Sequence, residues 1–281
     1  MKSKVSLTKQ KKIAIVKITL GFGFLLLVYL IPFFWVCLTS IKPETIISSM
    51  PPLLFFKPTG DHFLRLHFQW DFFTKMYHSL VIASGTTAIC IVVGSVSAYA
   101  LSRFKIRGKK YILLWILSHR FLPMVAILFP LFMFFKRLQL IDTYVSVILS
   151  ITVPNLAFSI WLLDSFFSEI PPEIEEAAKV DGCTDWNLLW RVVFPIAKPA
   201  IAVTALFVFL FSWNEFFIPL VLTRTNVPPV TVGFAAFRQH LRMDWGAMSA
   251  AAVVTLGPLL AMVVLLHRFV VRGLTLGAVK E

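Results

Sequence analysis

The sequence predicts an all-α membrane protein with six transmembrane helices and both termini in the cytoplasm, and three observations carry that prediction. Of 281 residues, 58% are hydrophobic, 28 of them Phe, and the mean hydropathy is +0.82. One soluble core cannot hide that much apolar surface. Six apolar stretches, near 18–38, 79–101, 111–135, 144–167, 200–222 and 250–271, each reach the roughly 20 residues that cross about 30 Å of hydrocarbon as a helix. Finally, 27 Lys and Arg against 14 Asp and Glu give a net charge of +13. The cations cluster beside the apolar stretches, which sets orientation in a membrane rather than marking a nucleic-acid surface.

Residues 1–17 carry Lys2, Lys4, Lys9, Lys11, Lys12 and Lys17 and form a cytoplasmic segment. The apolar run behind them is too long for a signal-peptide core and lacks a small-residue cleavage site, so it is a retained first span. Pro32 is expected to kink it, as a helix with neighbours tolerates. Residues 39–77, rich in Pro and aromatics, are placed outside. The second span holds Ser84, Gly85, Ala88, Gly94, Ser95, Ser97 and Ala98, small residues that let helices approach closely in lipid. Arg103, Lys105, Arg107, Lys109 and Lys110 follow in a short loop, the strongest positive-inside signal of the chain.

The third span, containing His119, Arg120 and Pro123, then runs outward, and the fourth, with Pro154 and Asn155, returns. Counting crossings puts residues 168–199 in the cytoplasm. The fifth span ends in Trp213-Asn214-Glu215-Phe216-Phe217-Ile218-Pro219. An outer segment to about Trp245 precedes the sixth, and 272–281 is a cytoplasmic tail. Cys37, Cys90 and Cys183 are isolated and form neither a disulfide framework nor a metal pattern. No internal repeat or low-complexity tract is evident.

Residues 171–199 differ from everything around them. Pro171 and Pro172 suit the first positions of a helix, and Glu173, Glu175 and Glu176 sit at its positive dipole end. Glu175 stands one turn before Lys179. Gly182 can take the left-handed conformation that closes a helix, and Thr184 or Asp185 can cap the next. That second helix is expected to carry Trp186, Leu189, Trp190 and Val193 on one face until Pro195 stops it. The reading is a docking element built as helix, glycine hinge and helix. An amphipathic pair lying on the membrane is the bland alternative, but an acidic helix suits anionic headgroups poorly.

Glu176-Ala177-Ala178, Gly182 and Pro195 resemble the EAA loop of ABC importer permeases, in which a cytoplasmic helix pair fits a groove on the ATPase subunit. The segment Arg272-Gly273-Leu274-Thr275-Leu276-Gly277-Ala278-Val279-Lys280 is similar to the closing segment of the maltose-type, carbohydrate-importing branch. Val192 and Phe194 stand where that pattern usually has Ile and Leu. The resemblance implies the type I permease fold over 18–271 and alternating access. Its partners would be an ATPase dimer, a second permease, a solute-binding protein and a carbohydrate substrate. Localisation would be the cytoplasmic (inner) membrane of a bacterium or archaeon. ATP and Mg would bind on the ATPase, with no cofactor or enzymatic activity in this chain.

It further implies coupling roles for Glu175, Glu176, Ala177, Ala178, Asp181, Gly182 and Pro195. The two glutamates would offer carboxylates to the ATPase, the alanines would permit close approach, and Gly182 would set the angle. Asp181 and Asp185 are open between that role and local capping. Gly273, Thr275, Gly277 and Lys280 would belong to a tail reaching between the ATPase subunits, against the plain alternative of a disordered end.

Polar groups at membrane depth mark a possible translocation path. Arg120 and Asn155 come out about 14 and 16 Å from their respective faces at roughly 1.5 Å per residue, so they can line one cavity. Glu215 lies about 22 Å from the inner face of its span, and an ion pair with Arg120 would need a broken helix. Trp213, Asn214 and Glu215 are read as an outer gate or partner contact, or as an interfacial anchor.

No GxxxxGK[ST] loop, nucleophile elbow or HExxH is present, so the chain is not expected to bind ATP in that way, and if it is energised by ATP the energy comes from a partner. A permease for a non-sugar solute and an ion-driven secondary transporter are the competing functions. The latter calls for coupling ionisable residues near the midplane, where only Arg120 is found.

Overall fold

The computed structural model describes residues 9–237 and 243–276. In chain order the helices are α1 (Lys9–Ser40), α2 (Glu44–Ile47), α3 (Asp61–Phe68), α4 (Phe72–Arg103), α5 (Lys109–Ser118), α6 (Met124–Arg137), α7 (Tyr144–Ser168), α8 (Pro172–Val180), α9 (Asp185–Leu188), α10 (Phe194–Ile196), α11 (Lys198–Trp213), α12 (Phe217–Leu222), α13 (Val230–Ala236) and α14 (Trp245–Leu276). Four of them, α1, α4, α7 and α14, are long and apolar enough to cross a membrane. Two bent pairs meet the same test when each is taken together, which brings the number of candidate crossings to as many as six.

The chain divides into two units, Met1–Gln69 with Phe237–Val254, and Trp70–Ala236 with Thr255–Glu281. In the first, Arg65 bridges Glu44 and Asp244 at 3.0 Å each, and His62 shares a 2.6 Å hydrogen bond with the Lys42 carbonyl. The Lys42 ammonium is buried over the rings of Trp35 and Phe56. Gly246 abuts the His62 imidazole so closely that a Cβ would overlap it. The apolar side chains of α1 from Ile15 to Trp35 are exposed, as suits a helix turned to lipid or to another subunit.

The second unit is built on α4 and α7. Gly94 lets them touch, since a Cβ there would lie 3.1 Å from Cβ of Ser159. Ser95, Ala98, Ser159 and Leu163 are fully buried beside it. Gly85, Gly94, Ser95 and Ala98 therefore pack helix on helix as their pattern predicts, whereas Ser84 and Ala88 are exposed.

Two expected spans are not continuous. Pro123 has no amide hydrogen and drives Leu122 into an extended conformation (ψ 132°), so the third span breaks there and its halves meet at 89°. The fifth is interrupted after Trp213, and a new helix starts at Phe217 because the Glu215 carboxylate accepts the amides of Phe217 and Ile218 at 3.0 and 3.2 Å. At the other end of the chain, α14 runs on through Leu276, so residues 272–276 of the expected tail are helical.

One loop tie was invisible in the sequence pattern. Asp142, at φ 61°, accepts the backbone amides of Arg224, Thr225, Asn226 and Val227 at 2.8–3.3 Å. Burial works against its ionisation, but these four donors outweigh that and hold the carboxyl below its usual range. A pKa depressed on folding stabilises above the unfolded value near 3.9 and ceases to do so as pH falls through the folded value. The tie should therefore persist at pH 5 and loosen below about pH 4. Asp142→Ala should speed hydrogen exchange at residues 224–227 about tenfold at neutral pH, as loss of roughly 1.4 kcal/mol implies. Unchanged exchange would show that the loop is held by other contacts.

Candidate functional site

The docking segment folds from local signals. Pro171 precedes α8, and Gly182 closes it at φ +87°, donating its amide to the Lys179 carbonyl at 3.0 Å. Thr184 caps α9 by accepting the Asn187 amide at 3.4 Å. Asp185 is instead paired with Lys179 at 2.9 Å across the hinge, and that hydrogen bond raises the lysine pKa. Both partners are half exposed, so the pair adds little stability. Asp181 closes α8, its amide bonded to the Ala177 carbonyl.

Pro195 does not end the second helix. Leu189–Val193 widen into a π-turn, and the helix continues to Ile196. The widening falls where the proline ring would meet the carbonyl one α-turn back. Leu188, Leu189 and Val193 are buried, whereas Trp186, expected on the apolar face, is 62% exposed. The three join Ala98, Tyr99, Leu163, Phe167 and Ile201, so the pair sits on residues of α4, α7 and α11. Each such aliphatic burial contributes about 1.5–3 kcal/mol.

Glu175 is not turned outward as its expected role required. It is 5% exposed, and its carboxylate takes Arg103 Nε at 2.5 Å and the Tyr99 hydroxyl at 3.1 Å. Arg103 also donates to the Ile170 carbonyl at 3.1 Å. A positive charge that oriented the chain in the sequence thus clamps α8 to the end of α4. Lys109 does the same beside α7, 2.8 Å from Asp164. Ala178 likewise packs inward, against the buried cluster. Glu173, Glu176, Ala177 and Val180 are exposed and recur at helical spacing on one side of α8. This is the free face of the element.

The polar groups at membrane depth divide differently. Arg120 and Asn155 are brought together, with Arg120 Nη1 3.4 Å from Asn155 Oδ1 and 3.5 Å from the Pro154 carbonyl. Asn155 donates onward to Ile151 and Ser212. His119 and Arg120 border a cavity of about 190 Å³ between the broken third span and α7. Asn214 and Glu215 are not part of this cluster. Asn214 bonds back to the Leu210 carbonyl, Glu215 caps α12, and Trp213 is buried against Phe209 rather than placed as an interfacial anchor. Among the described residues no ion pair joins Glu215 to Arg120. Of the tail, Gly273 and Thr275 lie in α14, and Gly277 and Lys280 lie outside the described residues.

Removing Glu175 leaves Arg103 largely buried and unpaired, a cost of about 3 kcal/mol in such settings. Glu175→Ala should therefore expose residues 171–199 to limited proteolysis in membranes, and adding Arg103→Ala should restore part of the protection. Equal protection in wild type and Glu175→Ala would show that the apolar seat alone holds the pair.

The sequence profile described as "Binding-protein-dependent transport system inner membrane component" matches residues 90–276. The chain is 32% identical to the trehalose/maltose transport system permease protein MalG of Thermococcus litoralis, over 90% of this chain and 92% of that protein. It is 32% identical to the trehalose transport system permease protein SugB of Mycobacterium tuberculosis, over 89% and 92%. A chain in the crystal structure of a bacterial ABC transporter involved in import of the acidic polysaccharide alginate superimposes with a TM-score of 0.80 at 22% identity, covering 94% of this chain and 99% of that one. With the profile covering well over half of its length, the chain belongs to the binding-protein-dependent transport system inner membrane component family.

Proposed function

We propose that this chain is one permease subunit of an ATP-driven importer that carries a carbohydrate across the cytoplasmic membrane of a bacterium or archaeon. Two such permeases form the path, a separate ATPase dimer binds ATP and Mg, and a solute-binding protein delivers the substrate from outside. Both termini and residues 168–199 face the cytoplasm. The observation that carries this reading is the seat of α8–α10, which is clamped to the bundle by Arg103–Glu175 and leaves Glu176, Ala177 and Val180 free on the opposite side.

On this reading the free face enters a groove on the ATPase, and closure of the ATPases moves α4, α7 and α11 through the buried cluster. The cavity opens outward on closure and inward on release. The carbohydrate assignment is supported by family membership together with relatives named for trehalose and maltose transport.

Two substitutions test the coupling. Glu176→Lys reverses a charge on the free face without touching the seat. Gly182→Pro demands φ near −65° where the hinge holds +87° and removes the amide bonded to Lys179. Both should insert at wild-type abundance yet lose at least tenfold in ATP-dependent uptake. Wild-type uptake by both at equal abundance would remove the coupling role.

A further inference from the structure

We infer that Arg120 is a specificity determinant for an acidic carbohydrate, one bearing carboxylates on its sugar rings; this rests on the transport reading above. A guanidinium inside a membrane domain normally pairs with a carboxylate or with backbone carbonyls at short range, because an uncompensated charge in that setting is costly. Among the described residues no acid pairs with Arg120. Its two acceptors are neutral oxygens at 3.4 and 3.5 Å, long for hydrogen bonds to a cation.

Three carboxylates of the same unit are committed elsewhere: Glu215 to the start of α12, Asp142 to four loop amides, and Asp164 to Lys109. The arginine is nevertheless held in place. Its guanidinium carbon lies 4.3 Å from the Phe211 ring centre and 5.1 Å from that of Phe158, and those two rings meet edge to face at 5.4 Å. These cation–π contacts hold the guanidinium against the two rings, neither of which occupies a hydrogen-bond donor.

Of five donors, only one nitrogen makes contacts, and both are weak. What remains is a planar fork that matches a carboxylate in bidentate fashion. It lies at the break of the third span, bordering the cavity lined also by His119, Ser150, Val153, Pro154 and Ile218. A neutral sugar can hydrogen-bond there, but it leaves the charge uncompensated. A uronate compensates it while it passes.

The test uses the complete importer. The solute-binding protein that co-purifies with this chain is first screened on oligosaccharides of glucose, mannose, galacturonate, glucuronate and mannuronate, together with amino acids, polyamines and phosphate. Preference for a uronate supports the proposal. Preference for a neutral sugar overturns it while sparing the carbohydrate reading, and binding of a non-carbohydrate overturns both.

Uptake of the preferred uronate and of its neutral methyl ester is then compared in proteoliposomes. Because the binding protein is the same throughout, any change in the acid-to-ester ratio between variants reports on Arg120. Arg120→Gln should lower that ratio at least tenfold, and Arg120→Lys, which keeps the charge but loses the fork, should fall between. An unchanged ratio in both variants overturns the proposal even if total uptake drops. Should Arg120→Gln fail to assemble, the ratio for Arg120→Lys decides alone.

Discussion

The ion pair between Arg103 and Glu175 is the constraint on which the arrangement of this protein turns. It joins the last residue of α4 to the first turn of α8, and Tyr99 and the Ile170 carbonyl complete the partners of the two charges. Desolvating two charges roughly cancels their attraction, so the pair adds little net stability compared with a well-packed apolar contact. Stability of the seat comes from Leu188, Leu189, Val193 and their neighbours. What the pair supplies is direction. It consumes Glu175, turns Ala178 inward and thereby decides that Glu173, Glu176, Ala177 and Val180 form the face a partner can reach. A sliding or rotated α8 would bury a lone glutamate or strand a lone arginine.

The seat matters because of what lies beneath it. The cluster under α8–α10 draws on α4, α7 and α11, and α4 and α7 are locked along Gly94 and Ser159 by the absence of larger side chains. Close-packed interiors move as bodies rather than deforming continuously. A push on the free face is therefore shared by three helices at once. The breaks at Leu122–Pro123 and after Trp213 lie in the neighbouring elements, where backbone geometry is already irregular. The Arg120 cluster lies at the first of these breaks, so the polar site and the discontinuity of the third span coincide.

Much of this was legible in the sequence because the signals are local. Gly182, Thr184 and Pro171 each fix a conformation through their own backbone, and they appear where their chemistry puts them. The small residues of the second span announced helix contact for the same reason. The direction of Glu175 was not legible, because it depends on Arg103, 72 residues earlier. Hydropathy smoothed over Pro123, whose effect on Leu122 is local but whose 89° consequence is a matter of packing. Trp186, which lies one turn before the widening at Leu189–Val193, is exposed although the periodicity placed it on the apolar face. Asp164 and Asp142 went unnoticed as isolated acids, since their partners are remote in sequence. That Arg120 and Asn155 could line one cavity was anticipated from depth alone, whereas their direct contact and the Phe158 and Phe211 rings that hold the arginine were not.

The central claim is that the exposed side of α8 is where the ATPase binds. Its most direct test is a photo-crosslinking residue introduced at Val180, which is 88% exposed, in the assembled transporter in native membranes. The account predicts a covalent adduct with the ATPase subunit, identified by mass spectrometry, whose yield changes between the ATP-bound and nucleotide-free states. Adducts with lipid alone, in membranes where the assembled complex is otherwise intact, would contradict it and return α8–α10 to the membrane surface.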